Sequence, residues 1–409
     1  MLKVLLKDID LRYWSLILLA LFPVLPYAFI SIITIILLFT FTYYFCINSK
    51  SQINKHINIK GFFIFSGFYL ILCFSLFYSN NMGVGFKTLG RMLPLLVFPL
   101  IVFILSGDYS LNTQKVRIIL KVFVFSSLLL LVYVLYLVFF TINDFHSHSV
   151  RDKLLDTSFL DLHSTYISMY FSSAIFILYS FNRRAKNYWN IVLILLFIVG
   201  LLLIFSRGVV FSILIMSVVI FFILNKRKLR QKILVVLVVA FITAIVVYQV
   251  PFLKYRISEI FQYGFQPTEN NRRLSSTAMR LAVYSCTSEI IIKNPLLGLG
   301  VGDLQDELQL CYQSLNSPDF SNKNLNTHNF YLYILGTTGV TGLLFFLFSL
   351  RMLFKKAWDS KNLLFLNVFV LISLILFTEN FLSRSYGLTY FCFFTILFYL
   401  LDRNNKENP

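Results

Sequence analysis

The chain has 409 residues, of which 58% are hydrophobic and only 13% are charged. Soluble domains are about half apolar and about a quarter charged, so this composition excludes an ordinary soluble fold and also excludes disorder. Five cysteines in a chain of this length exclude a secreted disulfide scaffold. The net charge of +18 would suit nucleic-acid binding. Basic residues also flank membrane spans, and we expect that explanation to hold, with no nucleic-acid partner.

Apolar blocks free of charged residues recur along the chain and predict about twelve transmembrane helices. In the first long run, Pro23 and Pro26 predict a break, because proline interrupts a helix. The predicted fold is an all-α, polytopic membrane helix bundle with one large, partly helical loop. The predicted spans are 13–27, 28–47, 61–79, 92–107, 119–140, 166–181, 188–205, 208–224, 233–249, 329–350, 363–378 and 386–401.

The distribution of Lys and Arg predicts the orientation of the bundle, because short cytoplasmic loops retain basic residues. With the N-terminus in the cytoplasm, most of the basic residues fall in connections on that side. Both termini are then cytoplasmic. We therefore divide the chain into transmembrane helices in 1–249, one large extracytoplasmic loop in 250–328, and transmembrane helices with a cytoplasmic tail in 329–409.

A loop as long as 250–328 inside a compact bundle is usually functional. Ser275 or Ser276 predicts a helix start, and Asn294-Pro295 predicts the end of that helix. The glycine-spaced run that follows permits close backbone approach to a ligand or to a span, and packing alone would also explain it. Cys286 and Cys311 share this loop, where they either form a disulfide or remain free thiols.

The predicted spans contain no charged residue in their interiors, unlike those of most proton-coupled carriers and ion pumps. A candidate site is therefore expected to face outward at the membrane boundary. The conspicuous polar residues are predicted at the extracytoplasmic ends of spans or in the loop: Arg91, His163, Arg207, Arg280, His328, Glu379 and Arg384.

Each of the main candidates also has an ordinary structural explanation. Arg207 lies between two apolar blocks, where snorkelling or helix capping would account for it. A surface ion pair or a lipid contact would explain Arg280 on the loop helix. His328 opens the predicted span 329–350; a neutral imidazole there would serve as a general base, although a lone interfacial histidine is usually structural. His146 and His148 have no carboxylate or thiolate nearby in sequence, so no metal site is predicted.

Four motifs in series resemble the bacterial O-antigen ligase family, whose superfamily also includes O-antigen polymerases and protein O-oligosaccharyltransferases. His328-Asn329 followed by Gly339-Val340-Thr341-Gly342 is similar to its His-Asn…Gly-x-x-Gly motif. The stretch 295–303 resembles its PLLGxGxGD segment, and Arg280 stands where the family carries a loop arginine. Ser206-Arg207-Gly208 resembles its Ser-Arg-Gly motif. The N-terminal third of the chain agrees with the family only in its pattern of spans.

The resemblance implies a multi-pass glycosyltransferase of the bacterial inner membrane with a periplasmic active site. The donor would be a glycan on polyprenyl (undecaprenyl) diphosphate. The acceptor would be lipid A–core for a ligase, or another glycan for a polymerase. His328 is implied as the catalytic residue, and Arg207 and Arg280 are implied as diphosphate contacts. The secondary candidates are Asp303, His163, Asn329, Arg91 and Glu379.

The chemistry of these residue types agrees with direct, inverting transfer without a metal or other cofactor. Guanidinium groups bind phosphate bidentately, and an attacking hydroxyl needs a base. No paired carboxylates of the glycosidase type are found near the loop, so a covalent glycosyl-enzyme is not expected. The His-Asn…Gly-x-x-Gly match favours a ligase over a polymerase. A lipid-linked glycan transporter would need polar groups at mid-membrane or related halves, and a non-catalytic scaffold would give His328 no role.

Overall fold

A computed structural model of the chain describes residues 10–48, 57–141, 162–184, 187–204, 206–224, 276–315 and 325–402. None of these residues forms a β-strand, which confirms the all-α fold. The α-helices are α1 (Leu11–Leu19), α2 (Tyr27–Asn48), α3 (Ile59–Ser75), α4 (Met82–Met92), α5 (Pro94–Leu100), α6 (Thr113–Thr141), α7 (Ser164–Arg184), α8 (Tyr188–Ile204), α9 (Arg207–Leu224), α10 (Ser276–Lys293), α11 (Leu304–Ser314), α12 (Phe330–Asp359), α13 (Leu363–Ile375) and α14 (Ser385–Asp402).

Several of these helices are suited to a lipid environment. Large apolar side chains such as Phe39 and Trp189 point outward, with exposed fractions of 69% and 74%. Such surfaces are expected of helices that contact lipid, and they identify a membrane protein. The number of spans stays a prediction, and the block 233–249 lies outside the described residues. Five segments are long and apolar enough to cross a membrane: Tyr27–Ile47, Ile59–Tyr78, Met82–Leu105, Thr113–Phe140 and Phe330–Asp359.

The break predicted near the N-terminus is confirmed. Helix α1 ends at Leu19, and a short 3-10 helix, Phe22–Val24, contains Pro23. Helix α2 then begins at Tyr27, directly after Pro26. The two prolines separate the first apolar run into two helices because neither can donate the backbone hydrogen bond of a helix interior.

The predicted span 92–107 is wrong at its start. The helical segment begins at Met82, where the Asn81 side chain caps α4 by accepting a hydrogen bond from Val84 N at 3.1 Å. It continues through α5 to a π-helical turn, Ile101–Leu105. Lys87 and Arg91 therefore lie inside a segment that can span the membrane. The glycines and charges of this stretch are typical of a loop, but tertiary packing of one face of α4 stabilises a helix there.

Helix α3 and the segment Met82–Leu105 run antiparallel to each other. The Tyr69 hydroxyl donates to the Leu89 carbonyl at 3.2 Å, and near the far end Asn58 N donates to the Phe103 carbonyl at 2.9 Å. Helix α12 also packs against α3, and the ring of Phe330 at its start lies 6.0 Å from that of Phe68, between centroids. This arrangement brings the start of α4 and the start of α12 to the same end of the bundle as the end of α3.

The predicted loop 250–328 is helical in its described part. Helix α10 is described from Ser276 to Lys293, and its end confirms the boundary expected at Asn294-Pro295. Of the two residues expected to start it, Ser275 lies outside the described residues. Helix α11 follows the glycine-spaced run, and the two helices share a small apolar core of their own that includes Val283, Leu308 and Tyr312. Its position relative to the membrane stays a prediction.

Candidate active site

His328 lies immediately before the helix that it was predicted to open. Asn329 is the N-cap of α12, and its Oδ1 accepts hydrogen bonds from Tyr331 N at 3.0 Å and Leu332 N at 3.1 Å. The expectation that His328 itself opens the span is therefore wrong by two residues, because the helix begins at Phe330. The φ angle of His328 is 44°, a left-handed value that costs energy in a residue with a side chain.

Hydrogen bonds on both sides hold His328 in this conformation. The Thr327 hydroxyl donates to Asn380 Oδ1 at 2.8 Å, and the His328 backbone N–H donates to Asn326 Oδ1 at 2.9 Å. On the helix side, Phe330 N donates to the Leu376 carbonyl at 2.8 Å. The surrounding chain thus fixes the direction in which the imidazole leaves the backbone, and strained residues held in this way cluster at active sites.

Glu379 joins His328 to Arg280. Its Oε1 accepts a hydrogen bond from Arg280 Nη2 at 2.7 Å, and its Oε2 lies 3.4 Å from His328 Nδ1. Glu379 follows the last turn of α13, Arg280 is on α10, and His328 precedes α12. Residues almost a hundred positions apart are therefore brought together as one polar group, in which only 18% of the Glu379 side chain is exposed.

The surroundings of Glu379 favour its ionised form. Burial acts to raise the pKa of this carboxyl group, but the hydrogen bond from His328 and the positive charge of Arg280 outweigh burial. The charges of His163 and His328 act in the same direction, and the net pKa lies below the ordinary value of 4.5. A carboxylate here can accept a hydrogen bond from the Nδ1–H group of His328. Nε2 is then the basic nitrogen of the imidazole.

A pocket opens in front of this group and encloses about 360 Å³ of empty space, part of it open to solvent. Two of the predicted residues outside the central group, His163 and Arg384, lie on its wall. Sequence reasoning ranked Glu379 as secondary and missed the two asparagines, whose only sequence signal is their place beside His328 and Glu379. The pocket is lined by His163, Thr165, Tyr166, Asn326, His328, Glu379, Asn380, Phe381 and Arg384.

His163 directly precedes helix α7 at the edge of this pocket. Its Nδ1 accepts a hydrogen bond from Thr165 N at 3.4 Å and lies 3.1 Å from the Thr165 hydroxyl. The Thr165 hydroxyl in turn lies 3.5 Å from Ser206 Oγ. His163 thus combines a cap-like role with a place on the pocket wall.

The backbone of the Ser-Arg-Gly motif, 206–208, also lies next to the pocket. Helix α9 begins at Arg207, and a Cβ atom added at Gly208 would lie 2.7 Å from the Thr378 hydroxyl, next to Glu379. Ser206 contacts the pocket residue Thr165. The N-terminus of α9 is thus adjacent to the candidate site, and a larger residue at position 208 would have to displace the Thr378 side chain. The predicted phosphate contact of Arg207 concerns a side chain outside the described residues.

Two of the secondary candidates have structural roles away from the pocket wall. Asp303 accepts hydrogen bonds from Asn80 N at 2.8 Å and Asn81 N at 2.7 Å, so it fastens the loop to the start of α4. Asn329 caps α12. Arg91 lies within α4 rather than at the end of a span, which corrects its predicted place.

The two glycine motifs bind each other. Helix α12 is broken at Gly339, whose φ is 64°, so the carbonyls of Gly336 and Thr337 lose their partners within the helix. Leu299 N and Gly300 N donate to these two carbonyls, each at 2.9 Å. We call the paired segments 295–302 and 336–341 the glycine junction.

The same exchange satisfies the donors beyond the break. Val340 N donates to the Pro295 carbonyl at 2.9 Å, and Thr341 N donates to the Leu296 carbonyl at 3.4 Å. A Cβ atom at Gly339 would lie 2.3 Å from the Leu296 carbonyl group. Of the two explanations offered for the glycine-spaced run, close approach to a span is therefore confirmed.

Cys286 and Cys311 form a disulfide that joins α10 to α11. The alternative of two free thiols is therefore wrong in this structure. Among the residues that the structure describes, no group of three or more His, Cys, Asp or Glu side chains is arranged to hold a metal ion. His146 and His148 lie outside the described residues.

Residues 191–347 match the family model described as O-Antigen ligase. The match covers Arg207, Arg280, His328 and the glycine junction, and it confirms the resemblance read from the motifs. It spans less than half of the chain, and Glu379, His163 and Arg384 lie outside it. No curated protein matches the chain significantly.

Proposed function

We propose that this membrane protein, whose residues 191–347 match the O-antigen ligase family, is a glycosyltransferase that joins a lipid-linked glycan to an acceptor hydroxyl. The donor is a glycan on polyprenyl (undecaprenyl) diphosphate, and the acceptor is lipid A–core, as for an O-antigen ligase. The reaction takes place at the periplasmic face of the bacterial inner membrane. It inverts the anomeric centre and needs no metal.

The observation that carries this proposal is the contact of Glu379 with both His328 and Arg280. Glycosyl transfer from a lipid diphosphate requires a base for the attacking hydroxyl and positive charge for the leaving group. His328 and Arg280 are residues of these two types, and Glu379 contacts both of them. His328 and Glu379 line a pocket that opens to solvent. The N-terminus of α9, with Arg207, lies next to them.

The base half of the reaction follows from the hydrogen bond at Nδ1. With Nδ1 donating to Glu379, Nε2 of His328 takes the proton from the acceptor hydroxyl as its oxygen attacks the anomeric carbon. The carboxylate stabilises the imidazolium that forms, as in other base–carboxylate pairs. The bond between the anomeric carbon and the diphosphate oxygen breaks, and the electron pair leaves with the diphosphate.

The leaving-group half uses the arginines. Arg280 donates a hydrogen bond from Nη2 to Glu379, and its other N–H groups can donate to phosphate oxygens. Its side chain is 36% exposed. Arg207 supplies the second guanidinium in this proposal. Two guanidinium groups beside the leaving diphosphate stabilise the charge that develops on it.

The proposal is tested with purified full-length protein, undecaprenyl diphosphate-linked glycan and lipid A–core. We expect His328→Ala and Arg280→Ala each to reduce transfer by about 10²-fold or more. Lys293→Ala is the matched control, because Lys293 is on the same helix as Arg280, is 68% exposed and pairs with the exposed Glu289. Normal transfer by both site variants, at normal protein levels, would refute the assignment.

The same variants in cells lacking the native gene separate a ligase from a polymerase. Loss of a ligase leaves bare lipid A–core together with lipid-linked polymer. Loss of a polymerase leaves core that carries a single repeat unit. The gel pattern of extracted glycolipid therefore identifies the acceptor, and bare core is the outcome expected here.

A further inference from the structure

Two basic residues of α4 lie within a segment that is long and apolar enough to span a membrane, and neither lines the pocket. Lys87 and Arg91 belong to the continuous segment Met82–Leu105. At a rise of 1.5 Å per residue, Arg91 lies about 14 Å along the helix from Met82. The Tyr69 contact to Leu89 confirms that this part of α4 packs beside α3 well before the end of the segment. Charges at such positions are costly and are usually functional.

Both side chains are exposed on the same face of the helix. They are four residues apart and are therefore neighbours on its surface. In the part of the chain that the structure describes, neither has an ion-pair or hydrogen-bond partner, whereas Arg280 is paired with Glu379. The space beside them is open, since a Cβ atom added at Gly90 would meet no other atom within 4 Å.

Helix α4 packs beside the candidate site. It contacts the short 3-10 helix Phe381–Ser383, and Phe381 lines the pocket. It also contacts α14, which begins directly after the pocket residue Arg384. Lys87 and Arg91 are therefore carried by a helix that adjoins the pocket, with their side chains exposed.

We propose that Lys87 and Arg91 form a second anion site, which binds the phosphate group of a lipid substrate from within the membrane. Two long cationic side chains with no protein partner match a phosphate, which accepts hydrogen bonds from both ammonium and guanidinium groups. The phosphate comes either from the lipid diphosphate donor or from a phosphorylated acceptor lipid. The identity of these lipids rests on the proposed function, whereas the binding itself does not.

Lipid binding is measured directly on full-length protein in phosphatidylcholine nanodiscs, without a transfer assay. The probes are undecaprenyl diphosphate, lipid A and, as a bulk-lipid control, phosphatidylglycerol. We expect the double variant Lys87→Gln/Arg91→Gln to weaken binding of one of the first two probes at least about tenfold, as expected for the loss of charge-assisted hydrogen bonds. The probe that is affected identifies the source of the phosphate.

The matched control is Arg351→Gln/Lys355→Gln, an exposed basic pair with the same spacing near the other end of α12. We expect it to leave binding of both substrate probes unchanged. A third variant, Gly90→Leu, fills the open space and keeps both charges, and we expect it to weaken binding as well.

Three outcomes would overturn the inference. Unchanged binding of both substrate probes to the double variant would remove the site. Equal losses in the control pair would show a general effect of charge. An equal loss of phosphatidylglycerol binding would show that the pair contacts bulk lipid. Because no transfer is measured, a failure of the proposed glycosyltransferase activity gives a different result from a failure of this site.

Discussion

The polar group formed around Glu379 and the glycine junction both involve α10 and α12, but they are built in opposite ways. His328, Glu379 and Arg280 are partly exposed side chains that meet through two contacts, one of 2.7 Å and one of 3.4 Å. The glycine junction is closed by four backbone hydrogen bonds, with glycines where the two segments approach most closely. One region presents polar side chains to a pocket, and the other joins two segments through their backbones.

This difference separates chemistry from architecture within one set of sequence motifs. His328 of the motif reaches the pocket, whereas its Gly-x-x-Gly part at 339–342 binds the loop. The junction fixes α12 relative to the end of α10. Helix α12 begins just after His328, and α10 carries Arg280. Changes at the junction should therefore alter folding first, and changes in the pocket should alter transfer first.

The largest effect on stability is expected for Gly339→Ala. The new Cβ would overlap the Leu296 carbonyl group and would impose a left-handed φ on alanine. Backbone strain and overpacking together should cost about 2–6 kcal/mol of the free energy of unfolding. Thermal unfolding in detergent measures the loss. Gly90→Ala is the control: its Cβ meets open space, and we expect stability to be equal or slightly higher. Equal melting of the two variants would contradict the role of the junction.

The sequence predicts the regular parts of this fold well. Apolar blocks, the break at Pro23 and Pro26, and the end of α10 at Lys293 all follow from local chemistry. The start of the helical segment at Met82 does not follow from local chemistry, because three glycines and Lys87 are typical of a loop. Tertiary packing, which buries Leu89 and Met92, stabilises the helix instead.

The candidate site is predicted only as a set of residue types. His328 and Arg280 stand out in sequence, but their link through Glu379 depends on a contact across about a hundred residues, which no local pattern contains. The pairing of the two glycine motifs is also invisible in sequence. Each glycine run indicates close approach, yet only the fold shows that each is the partner of the other.

Removal of the disulfide tests how far the architecture positions the chemistry. Cys286→Ser/Cys311→Ser releases α10 from α11, and closing a loop of this length contributes roughly 3 kcal/mol. We expect limited proteolysis between the two helices to become faster and transfer to fall only in part, because Arg280 keeps its contact with Glu379. The control is Cys392→Ser, which removes a buried free thiol in α14. Undiminished resistance to protease in the double variant would contradict a structural role for the disulfide.

A smaller effect, on transfer alone, is expected for Glu379→Gln. Glutamine keeps the shape of the side chain but removes the charge that holds His328 Nδ1 and Arg280. We expect transfer to fall about 10–100-fold, which corresponds to about 1.4–2.7 kcal/mol in the barrier. The pocket would stay folded, so thermal unfolding near neutral pH should change far less than in Gly339→Ala. A variant with full activity would show that the carboxylate does not orient the base.

The smallest effect concerns the dependence of stability on pH. Burial alone would raise the pKa of Glu379, but the hydrogen bond from His328 and the charge of Arg280 lower it below 4.5. A lowered folded-state pKa contributes stability that is complete above the unfolded value and is lost as the pH falls through the folded value. The difference in melting temperature between wild type and Glu379→Gln should therefore be constant above pH 4.5 and shrink below it. A difference in melting temperature that stays constant on acidification would mean that the Glu379 charge contributes nothing to stability. A difference that shrinks would show that the polar group around Glu379 contributes a small part of the fold's stability.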